Sequence, residues 1–237
     1  MRVLVVVPAF NEAPSLPCVV GRLRACGYAD ICVVDDGSTD DTAAVARALG
    51  VVVLRNPFNL GIGGAVQTGY LWALKHDYDA AAQIDGDGQH DPTYLRAALD
   101  LIAEGSTDLA IGGRFAGQGG FRSSFARRLG IRYLAWLLHI LCGANVSDPT
   151  SGFRVASRRA IALFARHYPS DYPEPEAIAM ALRSGLRVSE ISVRMERRRH
   201  GQSSIDAWRT LYYLLKVSLA ILLVRPDRYR KVEATAA

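Results

Sequence analysis

The chain has 237 residues, half of them hydrophobic, which suits one large domain or one domain with an appendage and excludes a disordered or collagen-like polypeptide. Its net charge of +5 suits anionic partners (nucleotide phosphates, acidic lipid head groups, nucleic acid) and equally suits simple solubility. Cys18, Cys26, Cys32 and Cys142 show no C-x-x-C spacing and sit in apolar runs, which argues against a zinc site or disulfide framework and for a reducing compartment. Residues 3–7 (VLVVV) are a continuous β-branched run, the mark of a strand buried on both faces, and too short for a targeting signal. Residues 15–26 follow with helical spacing, Leu16, Val19, Val20 and Leu23 on one side. ICVV (31–34) predicts a second strand that stops at Asp35-Asp36-Gly37-Ser38; Thr39 and Asp40 are placed to cap a helix from Ala43 to Leu49. VVVL (51–54) predicts a third strand, Gly61 to Leu74 a loop entering a helix, AAAQI (80–84) a fourth strand and DLAIGG (108–113) a fifth. Pro92 starts a helix between the last two, in the position proline favours.

Beyond residue 114 the pattern changes. GQGGFRSS (117–124) is a Gly- and Ser-rich loop, and 125–142 an apolar helix with Arg127, Arg128 and Arg132 near its start. SDPTSGFRV (147–155) reads as a turn-rich loop, Pro175 to Ser184 as a helix, LRVSEISVRM (186–195) as an alternating strand and ERRRHGQSS (196–204) as a basic loop. The apolar stretch 208–224 is followed by Arg225, Arg228, Arg230 and Lys231.

Strands alternating with helices predict an α/β domain with a mainly parallel sheet, in which ligands gather at the carboxyl ends of the strands. Asn11-Glu12, Asp35-Asp36, Asp85-Gly86-Asp87 and Gly112-Gly113-Arg114 all follow strands directly, so these polar clusters converge on one edge. Any one of them is also an ordinary turn.

Asp85 and Asp87 can bind a divalent cation through oxygen, leaving positions open for substrate phosphates. Gly86 lets the turn fold tightly and Gln89 can add an amide oxygen; an Asp-rich β-turn is the alternative. Asp35 to Ser38 can accept hydrogen bonds from a nucleobase or ribose, or cap the next helix. The segment Asn59 to Gly64, with Gly61 and Gly64, opens a helix and can approach a phosphate or base closely. It is not a dinucleotide fingerprint, because the third glycine position falls on Val66, and the chain has no G-x-x-x-x-G-K-[ST] phosphate loop.

VVVPAFNE, VVDDGSTDDT, RNPFNLGIGGAVQTGY, IDGDGQHDP and DPTSGFR occur in the order and spacing of family 2 glycosyltransferases. The chain resembles the bacterial branch similar to dolichyl-phosphate mannose synthases, from about residue 2 to about residue 205. The resemblance implies a GT-A fold, a nucleotide-diphosphate sugar, a divalent metal (Mg²⁺ or Mn²⁺) and inversion at the anomeric centre. It implies that Pro8, Ala9, Phe10, Asn11 and Glu12 line the nucleotide pocket and that Asp36 contacts the nucleoside. Asp85 and Asp87 would be the D-x-D pair, Asp87 the main metal ligand, with Gln89 assisting. Arg114 falls where that branch places a phosphate-binding arginine, and Arg199, His200 and Ser203 fall in a loop that closes over the pyrophosphate.

A hydroxyl acceptor needs a general base, for which Glu176, then Glu174, then Asp171 are the candidates near the start of a helix; favouring a helix N-terminus is their other role. A polyprenyl-phosphate acceptor is already anionic and needs no base, only cations such as Arg122, Arg127, Arg128 and Arg154. Both acceptor classes, lipid phosphate and lipid-linked glycan, stay open. Residues 1–205 form the expected catalytic domain, and 206–237 an apolar helix with a basic tail. That helix is too short to span a membrane and suits its surface or an oligomer contact, with residues 125–142 alongside. The expected place is the cytoplasmic face of the cell membrane. A sugar-nucleotide-forming nucleotidyltransferase would carry a Gly-rich, Lys/Arg-bearing loop where PAFNEAPS stands; a silent nucleotide- or membrane-binding module would not need the D-x-D pair. Nucleic acid has only the charge in its favour, since the arginines lack interleaved aromatics.

Overall fold

The computed structural model describes residues 1–114, 125–195 and 207–223, and, within these, all side chains but those of residues 125–127 and 207–212. The described strands are β1 (Val3–Ala9), β2 (Ile31–Asp35), β3 (Val52–Arg55), β4 (Ala80–Gln83), β5 (Leu109–Gly113), β6 (Arg154–Ser157) and β7 (Val188–Ser192). They form one sheet in the order β3-β2-β1-β4-β6-β5-β7. β6 runs antiparallel to both neighbours, and every other pairing is parallel. The helices are α1 (Leu16–Ala25), α2 (Thr42–Ala48), α3 (Gly61–Lys75), α4 (Leu95–Ala103), α5 (Phe125–Cys142), α6 (Arg158–Arg166), α7 (Pro173–Arg183) and α8 (Ala207–Leu223). Pro92 opens a single 3₁₀ turn (Pro92–Tyr94) that leads into α4, and Asp91 caps it by accepting the Thr93 N–H at 3.0 Å.

The period of two along the strands divides the core. Val5, Val7, Val33, Ala82 and Val155 face Leu16, Val20, Leu23, Leu95 and Leu99 of α1 and α4. Leu4, Val6, Val34, Ala81 and Ile111 face the other way, onto Tyr70, Leu134, Phe164, Ile178, Val217 and Ile221 of α3 and α5 to α8. α8 is anchored there: Val217 and Ile221 are buried, and Arg183 Nη1 donates to the Ile221 carbonyl at 2.6 Å.

Three elements differ from the sequence expectation. The end of SDPTSGFRV is a strand, β6, and α6 follows it directly, with Ser157 Oγ accepting the Ala160 N–H at 3.3 Å as its cap. β6 has only four residues and opens on an arginine, so it offers no apolar run to read. α7 starts two residues earlier than expected, at Pro173, after Tyr172 in a left-handed backbone (φ 51°). A Cβ on Gly63 would drive into the carbonyls of Pro169 and Ser170, so the first turn of α3 lies directly against the chain that leads into α7.

Candidate active site

The ends of β1, β2 and β4 and the start of β6 meet at one edge, and hydrogen bonds join their loops. Gly86 N–H donates to the Pro8 carbonyl (3.2 Å) and Asp36 N–H to that of Ala9 (2.9 Å). Asn11 takes a left-handed backbone (φ 56°), and its Oδ1 accepts from Thr39 N–H at 2.9 Å while its own N–H donates to Ser38 Oγ at 3.0 Å. Glu12 N–H donates to Thr42 Oγ1 (2.9 Å), and Ser15 Oγ donates to Glu12 Oε2 (2.5 Å). Residues Pro8 to Glu12 are thereby fixed to the loop that enters α2, with the Phe10 ring exposed beside them.

Asp36 is buried, and its carboxylate gathers the glycine-rich segment. It accepts from Asn56 Nδ2 (2.7 Å), Leu60 N–H (3.0 Å) and Gly61 N–H (2.8 Å), a negative charge at the N-terminus of α3. Gly64 lies one turn further on, where a Cβ would strike Leu60. Asp35 accepts from Ser38 N–H (3.0 Å) and pairs with Arg55 (3.2 Å).

Asp85 and Asp87 stand just past β4. Asp85 Oδ1 accepts from Gln83 Nε2 at 3.1 Å, its N–H donates to His90 Nδ1 at 3.1 Å, and its Oδ2 lies 3.7 Å from His90 Nε2. Asp87 is nearly buried, and its Oδ1 accepts from Gln89 N–H at 3.0 Å, which draws Gln89 into the same turn. Among the described residues no three His, Cys, Asp or Glu side chains gather as a metal cage. Asp85 and Asp87, with Gln89 in the same turn, carry the oxygen donors that could instead hold a hard divalent ion and leave positions for phosphate oxygens. Gly152 makes room for this: a Cβ there would sit 2.7 Å from Asp85 Oδ2 and 3.1 Å from Oδ1. Gly152→Ala is therefore expected to push the Asp85 carboxylate aside and, on the expectation from the sequence that this turn carries a metal and a nucleotide, to weaken nucleotide binding with Mn²⁺ by about 10- to 100-fold, the cost of losing a residue that orients a ligand. Calorimetry with and without Mn²⁺ checks it, and an unchanged Mn²⁺ effect would refute it.

Arg114, at the end of β5, is buried and paired through two nitrogens with the fully buried Asp148, and its Nη2 also donates to Thr150 Oγ1 at 2.8 Å. Glu190 of β7 accepts from Ser147 N–H (2.7 Å) and Asp148 N–H (3.0 Å). A phosphate at Arg114 would share the guanidinium with Asp148. Arg154 is wholly buried and donates to the carbonyls of Ser151 (3.0 Å), Pro149 (3.2 Å) and Glu174 (2.7 Å), so it ties the 149–151 turn to the start of α7. Its Nη1 and the hydroxyls of Tyr70 and Tyr168 are buried without a hydrogen-bond partner among the described residues.

The three candidate bases face different surroundings. Asp171 is exposed and paired with Lys216. Glu174 and Glu176, two residues apart on α7, point to different sides. Burial pushes the Glu174 carboxyl up; Arg154 opposes this, and Asp85 and Arg114 also act on it. Burial likewise raises Glu176, but the charge that acts on it is Lys216 of α8. Glu174 thus belongs to the Asp85 side. Arg199, His200 and Ser203 lie outside the described residues, as do Arg122, the tail beyond residue 223 and the side chain of Arg127. The sequence reading passed over Gln83, His90, Gly152, Asp148 and Glu190. The first two flank the acidic pair in QIDGDGQH, and Asp148 and Gly152 lie inside DPTSGFR, so their signal was adjacency to a motif.

Residues 4–163 match the family model described as Glycosyl transferase family 2, and the chain belongs to that family. Its fold is GT-A and it is a glycosyltransferase. It is 32% identical over 242 residues to polyprenol monophosphomannose synthase of Mycolicibacterium smegmatis, covering 98% of this chain and 91% of that protein. To undecaprenyl-phosphate mannosyltransferase of Micrococcus luteus it is 34% identical over 216 residues, covering 87% of this chain and 88% of that one. Among solved structures, glucosyl-3-phosphoglycerate synthase from Mycobacterium tuberculosis, in complex with Mn²⁺, UDP-glucose and phosphoglyceric acid, superposes with a TM-score of 0.70 at 20% identity. The match covers 94% of this chain and 81% of that one, a likeness of fold.

Proposed function

We propose that the protein transfers a sugar from a nucleotide-diphosphate sugar to a polyprenyl phosphate at the membrane surface, with inversion at the anomeric carbon. The observation that carries this is the Asp85–Asp87 pair, held on the open edge beside the Pro8–Glu12 and Asp36–Gly61 loops with a donor set suited to a metal–diphosphate. The relatives named for polyprenol and undecaprenyl phosphate support the acceptor class.

In this reading Asp85, Asp87 and Gln89 hold a divalent ion that, when bound, neutralises the diphosphate as it leaves. Residues Pro8 to Glu12 and the Asp36-capped start of α3 form the nucleotide side. Arg114 orders the Asp148–Thr150 turn next to the leaving group and lends it positive charge. The acceptor oxygen attacks the anomeric carbon from the face opposite the diphosphate. A lipid phosphate needs no base there. For a glycan hydroxyl, Glu174 is the favoured base, because the charges that act on it are Arg154, Asp85 and Arg114, whereas Glu176 and Asp171 face Lys216 of α8.

The membrane reading rests on α5 and α8, which pack side by side, Tyr133 Oη lying 3.1 Å from Ser218 Oγ. Leu129, Tyr133, Trp136 and Ile140 form an exposed stripe on α5, and Leu215, Leu219, Leu222 and Leu223 one on α8. Arg128 and Arg132 border the first stripe. No described helix is long and apolar enough to cross a membrane. Apolar side chains, ring residues and flanking arginines together suit an anionic bilayer surface.

The test is transfer of labelled sugar from UDP-, GDP- and dTDP-sugars to undecaprenyl phosphate in vesicles with Mg²⁺ or Mn²⁺. Product in the lipid phase is expected with one nucleotide, and Glu174→Gln should leave it in place. Product on a soluble glycan alone would displace the lipid-phosphate reading. In the same vesicles, Trp136→Glu with Leu219→Glu is expected to lower partitioning onto phosphatidylglycerol by at least ~10-fold and to spare nucleotide binding. Undiminished partitioning would remove the membrane role from this face.

A further inference from the structure

We infer that His90 is a positioning residue for Asp85, and that it acts through Nδ1. The inference rests on the reading of Asp85 and Asp87 as holders of a metal–diphosphate. It begins from the backbone. Ile84 N–H and Gly86 N–H donate to Val6 and Pro8 of β1 at 3.0 and 3.2 Å. Alternation then aims the N–H of Asp85 the other way, toward β6. The ladder with β6 has already ended there, since its last pair is Gln83 with Arg154, and the Phe153 carbonyl is taken by Gly112 N–H at 2.9 Å. His90 Nδ1 supplies the missing acceptor, 3.1 Å from the Asp85 nitrogen.

The ring is held from several sides. His90 is 4% exposed, it stands edge-on to Phe153 with centroids 5.8 Å apart, and its backbone bridges to Met195 just past β7. Its Nε2 lies 3.7 Å from Asp85 Oδ2, while Gln83 fixes Oδ1. Asp85 is therefore set by its amide, by the bond to Oδ1 and by the space above Gly152. A part-buried amide left without its acceptor would turn the peptide toward another partner, and the carboxylate would turn with it.

The two ring nitrogens can be separated by substitution. Asparagine places an oxygen near the position of Nδ1 and can accept the Asp85 N–H. Glutamine reaches only toward Nε2 and leaves that N–H unpaired. The experiment is calorimetric titration of full-length wild type, His90→Asn, His90→Gln and His90→Ala with whichever of UDP, GDP and dTDP the wild type binds most tightly, with and without Mn²⁺, beside thermal melts. His90→Gln and His90→Ala are expected to lose about 10- to 100-fold in affinity with Mn²⁺ and to match wild type without it, with His90→Asn within about threefold throughout. A structural role alone would lower the melting temperature and depress affinity equally in both conditions, and that result overturns the inference. So does a glutamine variant as good as the asparagine variant. Wild type that binds none of the three nucleotides with Mn²⁺ overturns the underlying reading, and the inference with it.

Discussion

Asp87→Ala is expected to lower sugar transfer by on the order of 10²- to 10³-fold, the usual cost of removing one group that stabilises developing charge on a leaving oxygen. The fold should be left nearly as stable as before. The side chain sits in a turn past the end of β4, and it accepts a bond from Gln89 N–H of that same turn. Asp87→Asn sharpens the result. The amide oxygen can still accept from Gln89 and keeps the shape of the turn, but the charge is gone, so transfer should fall nearly as far as with alanine. The readouts are kcat/KM at several Mn²⁺ concentrations and a thermal melt. An asparagine variant with wild-type kcat/KM would show that the turn's shape, not its charge, is what the reaction uses.

Arg114→Met is expected to destabilise the protein by about 3–5 kcal/mol, because it leaves the Asp148 carboxylate buried without its counter-ion. For a chain of this size that is a fall in Tm of roughly 6–20 °C. Burial by itself would raise the Asp148 carboxyl, but the bonds from Arg114 and Thr150 outweigh burial and hold it below the ordinary carboxylate value. A depressed folded value means that the wild-type contribution is fully present above the unfolded pKa of about 3.9 and is lost as pH falls through the folded value. In Arg114→Met the largest lowering influence is gone, so burial should dominate and the carboxyl should rise above 3.9. Its stability relative to wild type should then improve on mild acidification, as the stranded carboxylate takes up a proton. Arg114→Met with Asp148→Leu should recover much of the loss, since apolar replacement of a buried pair is often neutral. Melts at pH 7 and pH 5 decide it; equal losses in the single and double variants would mean that the pair is not the cause.

The parallel part of the sheet was legible because buried strands leave an unbroken apolar signature: VLVVV, ICVV, AAAQI and DLAIGG became β1, β2, β4 and β5. The acidic turn was legible for the same reason, as it follows one of those runs. What lay hidden depends on residues far apart in sequence. Nothing near Asp36 says that its carboxylate will hold Leu60 and Gly61, and nothing near Arg114 names Asp148. Such bonds follow from topology, which brings the strand ends together only once the sheet has formed. β6 and α6 were hidden for a local reason: a four-residue strand that opens on a buried arginine, then a short helix beginning and ending in arginine, both look like surface. Asp171, Glu174 and Glu176 are alike in sequence and separate only through what packs on α7, with Lys216 drawing two of them toward α8.

The reversed direction of β6 also bears on where the chain tolerates changes of length. A parallel strand meets the ligand edge with its last residue, and the loop beyond is free to grow. β6 meets it with its first, and the segment before it is pinned at Asp148 by Arg114 and Glu190 and at Pro149 and Ser151 by the Arg154 guanidinium. Sliding β6 by one residue would turn Arg154 to the opposite face and bring Phe153 toward Asp85. One inserted residue between Asp148 and Arg154 should therefore be far more disruptive than several in the turn at Gly50 or Gly105, on the opposite edge of the same sheet.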